Sequence, residues 1–524
     1  MNIRQAKQEL INTVKAYTAK DETGAYLIPP EKQRPLLLIG PPGIGKTAIA
    51  WQAAQECGIG LVSYTITHHT RQSTIGLPFI SDKVYGGTPY KITEYTMSEI
   101  IASVYDMIEK TGVKEGILFL DEINCVSETL APTMLQFLQY KTFGTHHLPD
   151  GFIIVTAGNP PQYNKSVRDF DIVTLDRVRK LEIEEDFDAF KEYASANSIH
   201  GSVMAYLTLR RDNFYSVRTD VEDRYFVTAR GWEDLSHLIR VYEKQQIPVT
   251  KTVAGQYLQD PVIAEDFASY YALYNKYKNI YRVEDILDGK VSERALEVRN
   301  APFDEKLSLI LLLSDALQQI FRGLSQKKAE QTMLLSILSD LRAHLKSGAE
   351  PSAAGYIRSE KNRIEETLRS DEKGRLLTEE KKRSLRGVIL ALEELENRLL
   401  DESENRPAGE TAAGMSAAES AVGMNADDPA GDFAAASAWF AARENSRQEK
   451  IRSANAKLTS AFAFLARAFG EGQEMVIFLS ELSAGKWSME FLTAHPNEAY
   501  YRYNKLLLLQ ERRQELVQDI LELM

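Results

Sequence analysis

Gly40-Pro41-Pro42-Gly43-Ile44-Gly45-Lys46-Thr47 has the pattern of a loop that cradles phosphates. Its glycines let backbone N–H groups face the anion, and Lys46 neutralises β and γ oxygens. The Thr47 hydroxyl is a ligand for Mg²⁺, with Ala48 entering the helix behind it. Downstream, Ile117-Leu118-Phe119-Leu120 runs into Asp121-Glu122, an apolar strand that delivers two acids to one edge of a sheet. Adjacent carboxylates suit two separate duties: Asp121 holds the Mg²⁺ shell and Glu122 polarises an attacking water. The chemistry these residues predict is hydrolysis of a nucleoside triphosphate, taken as Mg-ATP, although the residues alone leave GTP open.

Such a site needs strands that end side by side. From 35 to 185, short aliphatic runs alternate with amphipathic stretches, the pattern of an α/β domain with a parallel sheet. Five strands are predicted, at 36–39, 60–66, 116–120, 152–157 and 179–183, with a helix beginning near Thr47. Beyond 185 the strand signals thin out and helical spacing takes over to 400. Leu385, Val388, Leu392, Leu395 and Leu399 then lie on one helix face, which fits the core stripe of a bundle better than a coiled coil, being only two heptads long. Residues 401–432 are rich in Ala, Gly, Ser and acids and read as a flexible linker. A helical module follows at 433–524.

With 524 residues, 44% of them hydrophobic, the chain can bury several cores. A net charge of -12 argues against a broad grip on nucleic acid. Cys57 and Cys125 are too few for a disulfide framework, and Met1 to Lys20 lacks the apolar core of a secretory signal, so a cytoplasmic location is expected. The longest aliphatic runs, such as 307–313, fall short of a bilayer, so no membrane insertion is expected. Two histidine pairs, His68-His69 and His146-His147, have no carboxylate or cysteine at ligand spacing and read as exposed loop residues or partner contacts.

Leu120-Asp121-Glu122-Ile123-Asn124 and Ala157-Gly158-Asn159-Pro160 resemble the MoxR and dynein-related branch of AAA+ ATPases, a likeness covering about residues 30–245. The resemblance implies a P-loop AAA+ core with a parallel five-stranded sheet flanked by helices (35–185); residues 1–34 read as an N-terminal helix and approach to the nucleotide site. It also implies a helical lid (186–290), leaving further all-α regions (291–400 and 433–524). It makes Asn159 the residue that orients the hydrolytic water. Leu175-Asp176-Arg177 resembles a motif whose arginine reaches the phosphate bound by a neighbouring subunit; Arg179 is the rival candidate. Arg230, in Thr228-Ala229-Arg230-Gly231, is the matching lid sensor. The branch carries a pore-directed insertion where 67–80 stands and a hairpin where 143–148 stands. Cys125-Val126 departs from it, since a basic residue usually follows that run.

An arginine acting in trans implies a homo-oligomeric ring, expected to be a hexamer. The resemblance further implies a remodelling or assembly chaperone whose client carries a von Willebrand factor type A domain. Two alternatives stay open: a nucleic-acid-associated motor or restriction-type GTPase of the same branch, and a slow nucleotide-gated scaffold.

Overall fold

In the computed structural model, residues 1–66, 74, 76–163, 170–197, 199–219, 224–347, 352–373, 377–404 and 429–505 are described. The chain forms two compact units. The first comprises 1–193, 206–269 and 370–378; the second comprises 194–205, 270–369 and 379–524.

The first unit is built on a five-stranded parallel sheet. Its strands are β1 (Leu36–Ile39), β2 (Gly60–Thr65), β5 (Gly116–Asp121), β8 (Phe152–Gly158) and β9 (Arg179–Glu182), in the order β2-β5-β8-β1-β9. Each matches its sequence-predicted position to within one residue. Side chains alternate between two cores, as strands covered on both faces require. Leu36, Leu38, Ile117, Phe119, Ile153 and Val155 point to one side. Leu37, Leu118, Leu120 and Ile154 point to the other. The first core is closed by the helices Ile3–Thr18 and Lys46–Cys57, the second by Glu99–Thr111 and Ala131–Tyr140. Helix Ile3–Thr18 starts on a capping box in which Asn2 and Gln5 exchange hydrogen bonds of 2.9 and 3.1 Å. It buries Ala6, Leu10, Val14 and Tyr17 along one face.

The sheet register sets the site. Ile39 lies level with Gly158 on one side and Glu182 on the other, and Leu120 lies level with Thr156. The chain therefore leaves β1, β5 and β8 at the same carboxyl edge.

Three two-stranded hairpins join this unit: β3 (Pro78–Tyr85) with β4 (Thr88–Tyr95), β6 (Thr142–Phe143) with β7 (His146–His147), and β10 (Ser216–Thr219) with β11 (Arg224–Val227). The middle one stands where the resemblance places a hairpin. The third lies beyond 185, in the stretch where strand signals thin out. The first lies partly in the expected insertion; His68, His69 and Arg71 lie outside the described residues. His146 sits with Nε2 3.0 Å from the Tyr95 carbonyl oxygen, a contact between two hairpins. Cys57 and Cys125 are half-buried and form no disulfide.

The second unit is helical. Helix Phe303–Ser347 has 45 residues, about 68 Å at 1.5 Å per residue. It contains a window apolar enough to cross a bilayer by composition, but 61% of that window is buried within the protein. Phe321 stacks on Phe491 at 4.3 Å. Leu385, Val388, Leu392, Leu395 and Leu399, on helix Glu379–Glu404, are all buried within the chain, as a core stripe should be. Of the sequence-predicted linker, 405–428 lie outside the described residues, and its margins belong to helices Glu379–Glu404 and Pro429–Phe469.

Candidate functional site

The loop after β1 turns through Gly43 and Gly45, whose φ angles of 75° and 99° favour glycine. At Gly43 space matters as well, because a Cβ there would lie 2.8 Å from Thr228. Gly45 caps helix Lys46–Cys57 without any side-chain hydrogen bond. The first-turn N–H groups are thus left to an anion, and the helix dipole favours negative charge there.

Lys46 is buried, and its Nζ donates to the carbonyl oxygens of Gly40 (2.7 Å) and Pro41 (2.8 Å) and to Asn159 Oδ1 (2.9 Å). Burial pushes its ammonium down to about 8; Asp121 opposes that shift and the Arg230 charge reinforces it. Thr47 Oγ1 donates to Asp121 Oδ2 at 3.1 Å. A hydroxyl and a carboxylate oxygen so close form the hard donor set that suits Mg²⁺, so Thr47 and Asp121 are the residues that would hold it.

Beyond Asp121 the chain reverses sharply. Glu122 has φ 56°, a left-handed conformation uncommon for a side-chain-bearing residue, and its N–H donates to Asp121 Oδ1 at 2.9 Å. A 3₁₀ turn, Ile123–Cys125, follows and is closed by Cys125 N–H to Glu122 O at 2.9 Å. This reversal lets two neighbouring acids serve different positions. Asn124, inside the turn, donates from Nδ2 to the Asn159 carbonyl at 2.7 Å.

Residues 206–269 bring the Arg230 segment to the same loop. Thr228 caps helix Ala229–Gln245 by accepting from Gly231 N–H at 3.2 Å. Arg230 N–H donates to Gly43 O at 3.2 Å. Tyr215, which nothing in the sequence singled out, donates its hydroxyl to Pro42 O at 3.1 Å. Gly40, Pro41, Pro42, Gly43, Ile44, Gly45, Lys46, Thr47, Asp121, Glu122, Asn159 and Arg230 therefore gather at one sheet edge.

The two rival arginines behave differently. Arg179, first residue of β9, is held in its own unit by Thr13 Oγ1 (2.8 Å) and Glu9 Oε2 (3.2 Å). Arg177 ends the short helix Ile172–Arg177 and makes no hydrogen bond or ion pair with a described residue, though its charge holds the Asp171 carboxyl below its usual range after the larger effect of Thr174. Ile172 and Val173 on that helix are 85% and 54% exposed.

Residues 36–175 match the family model for AAA, the ATPase family associated with various cellular activities. That stretch holds the phosphate loop, the acid pair and Asn159. The chain thus carries an AAA domain, of a family that binds and hydrolyses ATP and usually assembles into rings. No curated protein matches the chain.

Proposed function

We propose that this protein is a cytoplasmic, Mg-ATP-dependent ring ATPase of MoxR type that remodels or assembles a protein client. The observation that carries the ATPase reading is the convergence of Lys46, Thr47, Asp121, Asn159 and Arg230 on the carboxyl edge of β1, β5 and β8. Lys46 exchanges its loop carbonyls and Asn159 for β and γ oxygens. Asn159, released from Lys46, orients the attacking water, and Glu122 takes its proton. Bound at Thr47 and Asp121, Mg²⁺ would neutralise developing phosphate charge. Arg177, beside exposed Ile172 and Val173, completes the site of the adjacent subunit, which supports a ring, taken as a hexamer.

The MoxR assignment is supported by the runs Leu120–Asn124 and Ala157–Pro160. With it comes a client bearing a von Willebrand factor type A domain, and the acidic charge favours a protein over nucleic acid. The test is affinity capture on Glu122→Gln protein held in ATP. Recovery of one such protein without nucleic acid supports the reading; recovery of DNA or RNA overturns it.

A further inference from the structure

The acid turn and the end of β8 are joined by one buried side chain. Asn124 is 6% exposed. Its Nδ2 grips the backbone carbonyl of Asn159 at 2.7 Å, while the side-chain Oδ1 of Asn159 accepts from Lys46 at 2.9 Å. The same Asn124 amide rests on Gly158: a Cβ there would lie 2.6 Å from Asn124 Oδ1, 2.9 Å from its Cγ and 3.1 Å from its Nδ2. Gly158 is not in the left-handed region, so glycine is required here for space, and Asn124 is what fills that space.

A hydrogen bond to a neutral carbonyl places a backbone and supplies no charge to a reacting group. We infer that Asn124 is a positioning residue that fixes the end of β8 against the acid turn, so that the Asn159 side chain and the Glu122 carboxylate keep a set separation. Asn124 acts through Asn159 and does not touch substrate. The inference rests on the ATP-hydrolysing reading above.

A misplacement of about 1 Å at a reacting centre can cost about 100-fold in rate. Asn124→Ala is therefore expected to lower kcat by roughly 10- to 100-fold while the ATP dissociation constant stays within about threefold. Asn124→Asp, of the same shape, sets a carboxylate oxygen against the Asn159 carbonyl and should lower kcat at least as much. Gly158→Ala should do likewise, because the new Cβ evicts Asn124. In the double variant Asn124→Ala/Gly158→Ala the space is already free, so the second change should add little to the first.

The experiment is this double-mutant cycle, read in kcat, in equilibrium ATP affinity and in the melting temperature of the nucleotide-free protein. The expected result is a kcat loss without affinity loss, non-additive in kcat and in melting temperature. Losses that multiply in the double variant, affinity that falls as far as kcat, or an unchanged kcat in Asn124→Ala would overturn it. Absence of turnover in the unaltered chain would refute the ATPase reading itself, an outcome seen before any variant is made.

Discussion

Strand β8 has a buried lysine at each end, and the two are put to different use. At its carboxyl end, Lys46 donates to Asn159 and to two loop carbonyls. At its amino end, Lys141 donates to Phe152 O at 2.9 Å and to Gln33 Oε1 at 2.8 Å, while Gln33 ties back to the carbonyls of Tyr17 and Ile28. Burial pushes both ammonium groups from 10.5 to about 8. A depressed lysine is therefore no mark of a site in this fold. What separates them under the proposed function is exchangeability: Lys46 leans on a glycine loop and Asn159, partners that a phosphate would replace, whereas Lys141 closes a network with Gln33 and the Phe152 carbonyl.

The comparison is sharpened most by removing each lysine. Lys46→Ala should abolish measurable ATP binding, a loss of at least about 100-fold, and, since its own buried acceptors also lose their donor, destabilise the nucleotide-free protein by about 1–3 kcal/mol. Lys141→Ala should leave ATP affinity within about threefold and destabilise the fold by about 1–3 kcal/mol, since two buried acceptors lose their donor. Titration calorimetry and thermal melts check both, and loss of ATP affinity in Lys141→Ala, or its retention in Lys46→Ala, would break the distinction.

A second pair tests the same principle at β9. Arg177→Ala should lower turnover by about 10³-fold with ATP binding kept, as loss of a trans-acting arginine does. Arg179→Ala should cost only the ~0.2–1 kcal/mol of an exposed ion pair. Mixing Arg177→Ala with Lys46→Ala subunits should restore part of the turnover, because each supplies what the other lacks. No recovery on mixing would count against a shared site.

The smallest effects are in pH. A bound polyphosphate favours charged Lys46, so the complex titrates above the free protein's value of about 8. ATP affinity is then full below pH 8 and falls as pH rises above it, by at most about tenfold per pH unit. Lys141 acts on folding instead. Between pH 8 and 10.5 the unfolded chain binds more protons there than the folded one, so this residue makes stability rise with pH across that window, and below pH 8 its contribution is flat. Thermal melts of Lys141→Ala should lack that rise.

Much of this was legible in the sequence, for physical reasons. Leu36–Ile39 and Phe152–Gly158 are continuous apolar runs, because strands covered on both faces carry no polar alternation. The phosphate loop and acid pair were readable because their residue types are fixed by the anion and the metal. The hairpin Pro78–Tyr85 with Thr88–Tyr95 escaped because both faces are largely exposed, so Phe79, Ile80, Val84 and Tyr90 form no one-sided stripe. Lys141 looked like any surface lysine, since only tertiary packing places Phe152 and Gln33 around it. The choice between Arg177 and Arg179 hung on Glu9 and Thr13, some 170 residues earlier in the chain.

The most direct test of the central claim is single-turnover and steady-state ATP hydrolysis by the Glu122→Gln protein, with ATP affinity measured beside it. The account predicts that turnover falls by about 10²–10⁴-fold while ATP binding is kept, because only the group that takes the water's proton is lost. Turnover equal to that of the unaltered protein would contradict it and leave a nucleotide-gated scaffold as the better description.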